Sequence, residues 1–124
     1  MIKSRGLNHI NLNVSDIRRS LRFYQEAFGL EIKFWEGQRM VFLGSPGVHD
    51  IITLCEVDKS EPVGSGGVSH FGFALTDKGR LDDGVEQVER AGGKLLSRGE
   101  HAPGVDYAYF ADPDGYVIEI GNGP

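Results

Sequence analysis

Residues 7–14, LNHINLNV, return in outline as VSHFGFAL at 68–75, and this internal repeat constrains the chain more than any other feature, because the fold must hold two similar units in one small body. His9 and His70 stand 61 residues apart, as do Asp16 and Asp77, and each aspartate follows an alternating segment and opens a stretch with helical spacing. In the first stretch Ile17, Leu21, Tyr24 and Phe28 share one helical face, and Gly29 ends it. In the second, Leu81, Val85, Val88 and Ala91 do the same before Gly92-Gly93. Short runs rich in β-branched and aromatic residues then follow: Glu31 to Trp35, Met40 to Leu43 and Asp50 to Val57 in the first half. The second half has Lys94 to Ser97, Tyr107 to Phe110 and Tyr116 to Ile120, with Asp112-Pro113-Asp114-Gly115 as a hairpin turn. Each half therefore spells strand, helix and three strands, an α+β pattern. The polar, glycine-rich stretch 59–67 suits a linker, so a single domain, 1–124, is expected with module 1 at about 5–58 and module 2 at about 67–121.

The charge pattern narrows the partners. The net charge is -5, and after Arg98 there is no Lys or Arg, while Glu100, Asp106, Asp112, Asp114 and Glu119 all fall in that stretch. Phosphate backbones are bound by clustered cations, so nucleic acid is not an expected partner, and a site built there has no local clamp for a strongly anionic ligand. No apolar run approaches the roughly 18 residues of a membrane span. The opening segment also lacks the continuous apolar core of a signal peptide, so no membrane partner is expected and the expected location is cytoplasmic. The single cysteine, Cys55, cannot form an internal disulfide and reads as a buried, inert thiol.

Strand alternation decides which residues share a face. Ile10, Leu12 and Val14 form one side of the first strand, and His9, Asn11 and Asn13 the other. Ile52 and Leu54 alternate with Thr53 and Cys55, and Ile118 and Ile120 with Val117 and Glu119. Two such sheets, each with its oily side against a helix, would form a cup lined by His9, Asn11, Thr53, His70 and Glu119. Two imidazoles and a carboxylate make the ligand set that holds non-haem Fe(II), and that suits Mn(II) or Zn(II), with positions left open for a substrate. A lone strand histidine is ordinarily hydrogen-bonded or exposed; the matched places in the repeat are what single these residues out.

His9 on the first strand, His70 at the same place in the second module, and Glu119 seven residues after the start of the Asp112-Pro113-Asp114-Gly115 turn resemble the metal signature of the vicinal oxygen chelate superfamily, over nearly the whole chain. The resemblance implies two βαβββ modules forming a cup-shaped mixed sheet with helices on the outer face. It also implies a divalent metal ion (Fe, Mn, Zn, Ni or Co), a small-molecule substrate with adjacent oxygens, and a homodimer. Its members include glyoxalase I, fosfomycin-resistance thiol transferases, extradiol dioxygenases and metal-free bleomycin-binding proteins.

Glyoxalase I adds a glutamate ligand where Thr53 stands here, and a hydroxyl is a poor substitute for a carboxylate. Fosfomycin-resistance enzymes have a threonine in place of Asn11 and use cationic groups near the C-terminus, where this chain has none. Extradiol dioxygenases share the three ligands and place a tyrosine about ten residues before the glutamate, as Tyr109 is, with a histidine before it, as His101 is. The resemblance therefore implies catalytic roles for Tyr109 and His101, hydrogen-bonding the oxygens of the reacting molecule, with Asn11, Thr53 and Tyr107 as substrate contacts. Ala108 and the lack of a histidine between Asp50 and Ser69 depart from that pattern. The expected activity is a metal-dependent, extradiol dioxygenase-like reaction, with a glyoxalase-like lyase or isomerase and a metal-free drug-sequestering protein as alternatives. Phe34, Trp35 and Phe42 fit either the pocket mouth or the core.

Overall fold

A computed structural model describes residues 1–76 and 80–122. The chain runs β1 (Ile10–Val14), α1 (Ile17–Phe28), β2 (Glu31–Glu36), β3 (Met40–Gly44) and β4 (Ile52–Glu56), then β5 (Phe71–Ala74), α2 (Leu81–Arg90), β6 (Lys94–Ala102), β7 (Val105–Ala111) and β8 (Val117–Gly121). Two four-stranded mixed sheets result, ordered β1-β4-β3-β2 and β5-β8-β7-β6. In each the first strand pairs in parallel with the last and the other pairs are antiparallel, so both halves are βαβββ modules. The sheets do not join: β1 and β5 are edge strands, and the cup is not closed within one chain. Among the described residues, no helix is long and apolar enough to cross a membrane.

Helix α1 begins where Asp16 accepts from the Arg19 N–H at 3.1 Å and ends at Gly29, whose φ of 65° only glycine adopts without strain. Helix α2 starts after Arg80, and among the described residues no side chain caps it; Asp77, the expected counterpart of Asp16, lies outside the described residues. The buried residues of the two helices and the inner faces of both sheets form one core that includes Leu12, Val14, Tyr24, Leu54, Val88, Phe110 and Ile118.

The Asp112–Gly115 turn does more than join β7 to β8. Asp112 closes it by accepting from the backbone N–H groups of Asp114 and Tyr116 at 2.9 Å each, and also accepts from the Tyr24 hydroxyl of α1 at 2.6 Å in a buried site. Asp114 sits at the start of α1, accepting from the Ser15 hydroxyl and, at 3.1 Å, from Arg19; Tyr116 donates to the Asn13 carbonyl at 2.8 Å. This polar latch fastens the second module to β1 and α1 of the first. Burial pushes the Tyr24 phenol well above its ordinary pKa, reinforced by the Asp112 charge, and burial likewise raises the Asp112 carboxyl against the lowering effect of its hydrogen bonds.

Several strand boundaries differ from the sequence expectation, two of them for a visible reason. Strand β6 continues past Ser97 to Ala102, because its outer half pairs with the start of β7. Asp50 stays out of β4: its carboxylate accepts from the Ser45 N–H and hydroxyl, both at 2.6 Å, and holds the preceding loop instead.

Candidate metal and substrate site

Strand register lays out the cup faces as matched rows. In module one Asn11 of β1 lies opposite Thr53 of β4, Thr53 opposite Phe42 of β3, and Phe42 opposite Phe34 of β2. In module two the row is Gly72, Glu119, Tyr109 and Ser97. Thr53 and Glu119 thus hold equivalent positions. A Cβ on Gly72 would stand 2.7 Å from the Glu119 carbonyl oxygen, so the glycine keeps the space beside Glu119 clear.

Around Glu119 the side chains converge. The His70 Nε2 stands 3.3 Å from Glu119 Oε2, and the His101 Nε2 is 2.7 Å from Oε1. Tyr109 meets His70 edge-on at 4.9 Å between ring centroids, Tyr107 meets Tyr109 at 5.1 Å, and His101 stacks on Tyr107 at 4.2 Å. Tyr107 fits because residue 99 is glycine: a Cβ there would be 2.7 Å from the phenol oxygen. Loss of hydration, then the Glu119 charge and Tyr107, raise the Tyr109 phenol pKa. His70, His101 and Glu119 line a cavity of about 360 Å³ floored by β5. His101 reaches it from a strand, through the extension of β6.

His9 is not in this group. It is exposed, 6.3 Å from the Phe42 ring, and lines a different cavity of about 260 Å³ with His49, Asp50 and residues of β5. Among the described residues, no group of three or more His, Cys, Asp or Glu side chains is placed to hold a metal ion. The donor chemistry nevertheless fits one in part: an imidazole nitrogen and a carboxylate oxygen 3.3 Å apart are spaced like two ligands about 2.1 Å from a shared ion. One chain supplies that pair without the third donor. Asn11 is exposed on the first row, whereas Thr53 is buried and its hydroxyl has no hydrogen-bond partner among the described residues. Phe34 and Phe42 belong to the cup face; Trp35 lies on the other, beneath the Arg18 guanidinium at 4.8 Å.

Two residues that sequence reasoning passed over orient the histidines. The His9 Nδ1 is 2.6 Å from the Asn8 side-chain oxygen, and the His70 Nδ1 is 3.0 Å from the Ser69 hydroxyl. An oxygen partner at Nδ1 turns Nε2 outward as the coordinating nitrogen. The signal was available: Asn8 and Ser69 also stand 61 residues apart.

Comparison with known proteins agrees with this fold. The family model described as Glyoxalase/Bleomycin resistance protein/Dioxygenase superfamily matches residues 6–120. The chain is similar to glutathione transferase FosA of Serratia marcescens, 26% identical over 93% of this chain and 79% of that protein. It is also similar to metapyrocatechase 2 of Cupriavidus necator, 27% identical over 93% of this chain but 35% of that longer protein. Among solved structures, a mutant of the fosfomycin resistance protein FosX from Listeria monocytogenes, complexed with Mn(II) and 1S,2S-dihydroxypropylphosphonic acid, superposes with a TM-score of 0.78 at 24% identity. That match covers 98% of this chain and 93% of the other.

Proposed function

Because the chain belongs to the Glyoxalase/Bleomycin resistance protein/Dioxygenase superfamily, we propose that it is a metal-dependent enzyme acting on a small molecule with two adjacent oxygens, in an extradiol dioxygenase-like reaction. The observation that carries this is the His70–Glu119 pair with the Tyr109 phenol beside it. His70 and Glu119 of one chain, with His9 of a second copy, would hold the divalent ion in a homodimer whose paired modules complete the cup. The open sheets and the separate placement of His9 support this arrangement. When bound, the ion supplies Lewis-acid charge to the two substrate oxygens and, as Fe(II) or Mn(II), redox access to dioxygen.

The chain's own residues do the rest. The Tyr109 phenol, protonated at neutral pH as phenols ordinarily are, donates a hydrogen bond to a substrate oxygen. His101, held on Glu119, orients that carboxylate and stands ready to pass a proton at Nε2. Tyr107 supports the His101 ring, and Asn11 offers an amide to the substrate from the facing wall. Thr53, at the position equivalent to Glu119, supplies no carboxylate, which argues against glyoxalase proton transfer.

The test combines metal analysis with Tyr109→Phe. Stoichiometric metal is expected in both proteins, while oxygen uptake with a catechol falls about 10²-fold in the variant, as for loss of a preorganised transition-state hydrogen bond. Wild-type protein that binds no metal refutes the enzyme reading in favour of a sequestering protein. Metal binding without oxygen uptake from any catechol, in either the Fe(II) or the Mn(II) form, refutes the dioxygenase reaction. A lyase or isomerase with Glu119 as proton carrier then leads.

A further inference from the structure

The first module carries two basic side chains that the metal chemistry leaves unused. Arg5 and His49, with Leu7, Asn8 and Ile51, line a cavity of about 410 Å³ that has no Asp or Glu in its wall. It adjoins the cavity of about 260 Å³ that includes His9, since Leu7, Asn8, His49 and Ile51 line both. In a chain of net charge -5, Arg19, Arg39, Arg80, Arg90 and Arg98 each face a carboxylate. The Arg5 guanidinium and the His49 ring have neither an ion pair nor a hydrogen bond among the described residues. Asp50, the acidic residue of the His9 cavity, is already engaged by the Ser45 N–H and hydroxyl at 2.6 Å each.

The backbone around these donors is held. The Ser4 hydroxyl accepts from the Gly6 N–H at 3.0 Å across Arg5, and the Asp50–Ser45 bonds close the loop that carries His49. The Ile10 N–H donates to the Ile51 carbonyl at 3.1 Å and ties the two segments together. Asn8 directs its side-chain oxygen to the His9 Nδ1 at 2.6 Å, which leaves its NH₂ group as a donor.

A guanidinium fork, an amide NH₂ and an imidazole N–H together offer donors around one fixed positive charge. That set matches a planar, singly charged acceptor, because a carboxylate takes two parallel N–H bonds from a guanidinium. A phosphate or phosphonate dianion would find one charge for two.

We propose that Arg5, with the His49 ring and the Asn8 amide, forms a subsite for a carboxylate of the substrate, so that the molecule whose adjacent oxygens meet the ion beside His9 is a small carboxylic acid. The inference rests on the metal-site reading above and adds the charge of the substrate to it. The stretch after Arg98 has no Lys or Arg, so the anionic end is met from the first module, which also brings His9.

The monohydroxamates of succinic, glutaric and adipic acid, each with its methyl ester, test the subsite. Acid and ester chelate through the same two oxygens and differ in charge, and the series has increasing reach. Calorimetric titration into the Mn(II)-loaded protein should give, for the member whose reach fits, about tenfold tighter binding of the acid than of its ester. Arg5→Gln should cut that ratio to about twofold or less, His49→Gln to about threefold, and Arg5→Lys should keep an intermediate value, with ester affinity at the wild-type level throughout. Added salt should shrink the ratio, because Arg5 is exposed and its charge is screened. A ratio near one across the wild-type series, with the esters still binding, overturns the carboxylate subsite while the metal reading stands. A ratio that either Arg5→Gln or His49→Gln leaves unchanged does the same, since the charge is then read elsewhere. If neither acids nor esters bind the wild type, the metal reading fails and this inference falls with it.

Discussion

Mixing two broken chains tests whether the third ligand comes from a second copy. His9→Ala and Glu119→Ala each remove one donor from every chain, so neither homodimer has a complete site. In a mixed dimer, the His9 of the Glu119→Ala chain meets the intact His70 and Glu119 of its partner, while the opposite site carries both lesions. Random pairing of equal amounts makes half the dimers mixed, each with one good site of two. About a quarter of the wild-type metal is therefore recovered, rising to about half when mixed dimers are isolated through two different affinity tags. The structure motivates the arithmetic: His70 and Glu119 are already paired at 3.3 Å in one chain, whereas His9 lines another cavity, and both sheets end in an unpaired strand. Metal would be measured by mass spectrometry at a metal concentration near the wild-type Kd, after co-expression so that the chains pair as they fold. Verified mixed dimers with no more metal than either parent would refute the two-chain site, because a site built within one chain is lesioned in every subunit.

Three further outcomes bear on the fold around the site. Tyr24→Phe keeps the ring but strands a buried Asp112 oxygen, so urea unfolding should show a loss of about 1–3 kcal/mol; a loss below about 0.5 kcal/mol would mean the latch carries little energy. Burial raises the Asp112 carboxyl above its ordinary 3.8, so the folded state holds that proton more tightly than the unfolded one. Relative to Asp112→Asn, wild-type stability should then fall as pH rises from 3.8 through the elevated value and level off above it, and a rise over that window would contradict the shift. Thr53→Val removes a buried hydroxyl that has no partner among the described residues and should leave thermal stability equal or higher by about 1 kcal/mol; a comparable destabilisation would reveal a partner for that oxygen.

What the sequence determined by itself is local in origin. Alternation along β1 and β8 separates Asn11 and Glu119 from Leu12 and Ile118, because neighbouring strand side chains must point to opposite faces, and the spacing Ile17, Leu21, Tyr24 follows from the helical period. The 61-residue interval carried this pattern into the second module, so both halves and the equivalence of the two histidines were legible before any coordinates. Tertiary structure decided the rest. His101 reaches Glu119 only because pairing with β7 prolongs β6, and register across strands far apart in sequence is a property of the partner strand as much as of the residues themselves. The Asp112–Gly115 turn looked like a hairpin and nothing more; its carboxylates find Tyr24, Ser15 and Arg19 across most of the chain, contacts that no periodicity encodes. The open cup belongs to the same class, since whether two sheets close on each other depends on how the helices and the latch pack the modules, and alternation within a strand says nothing about that angle.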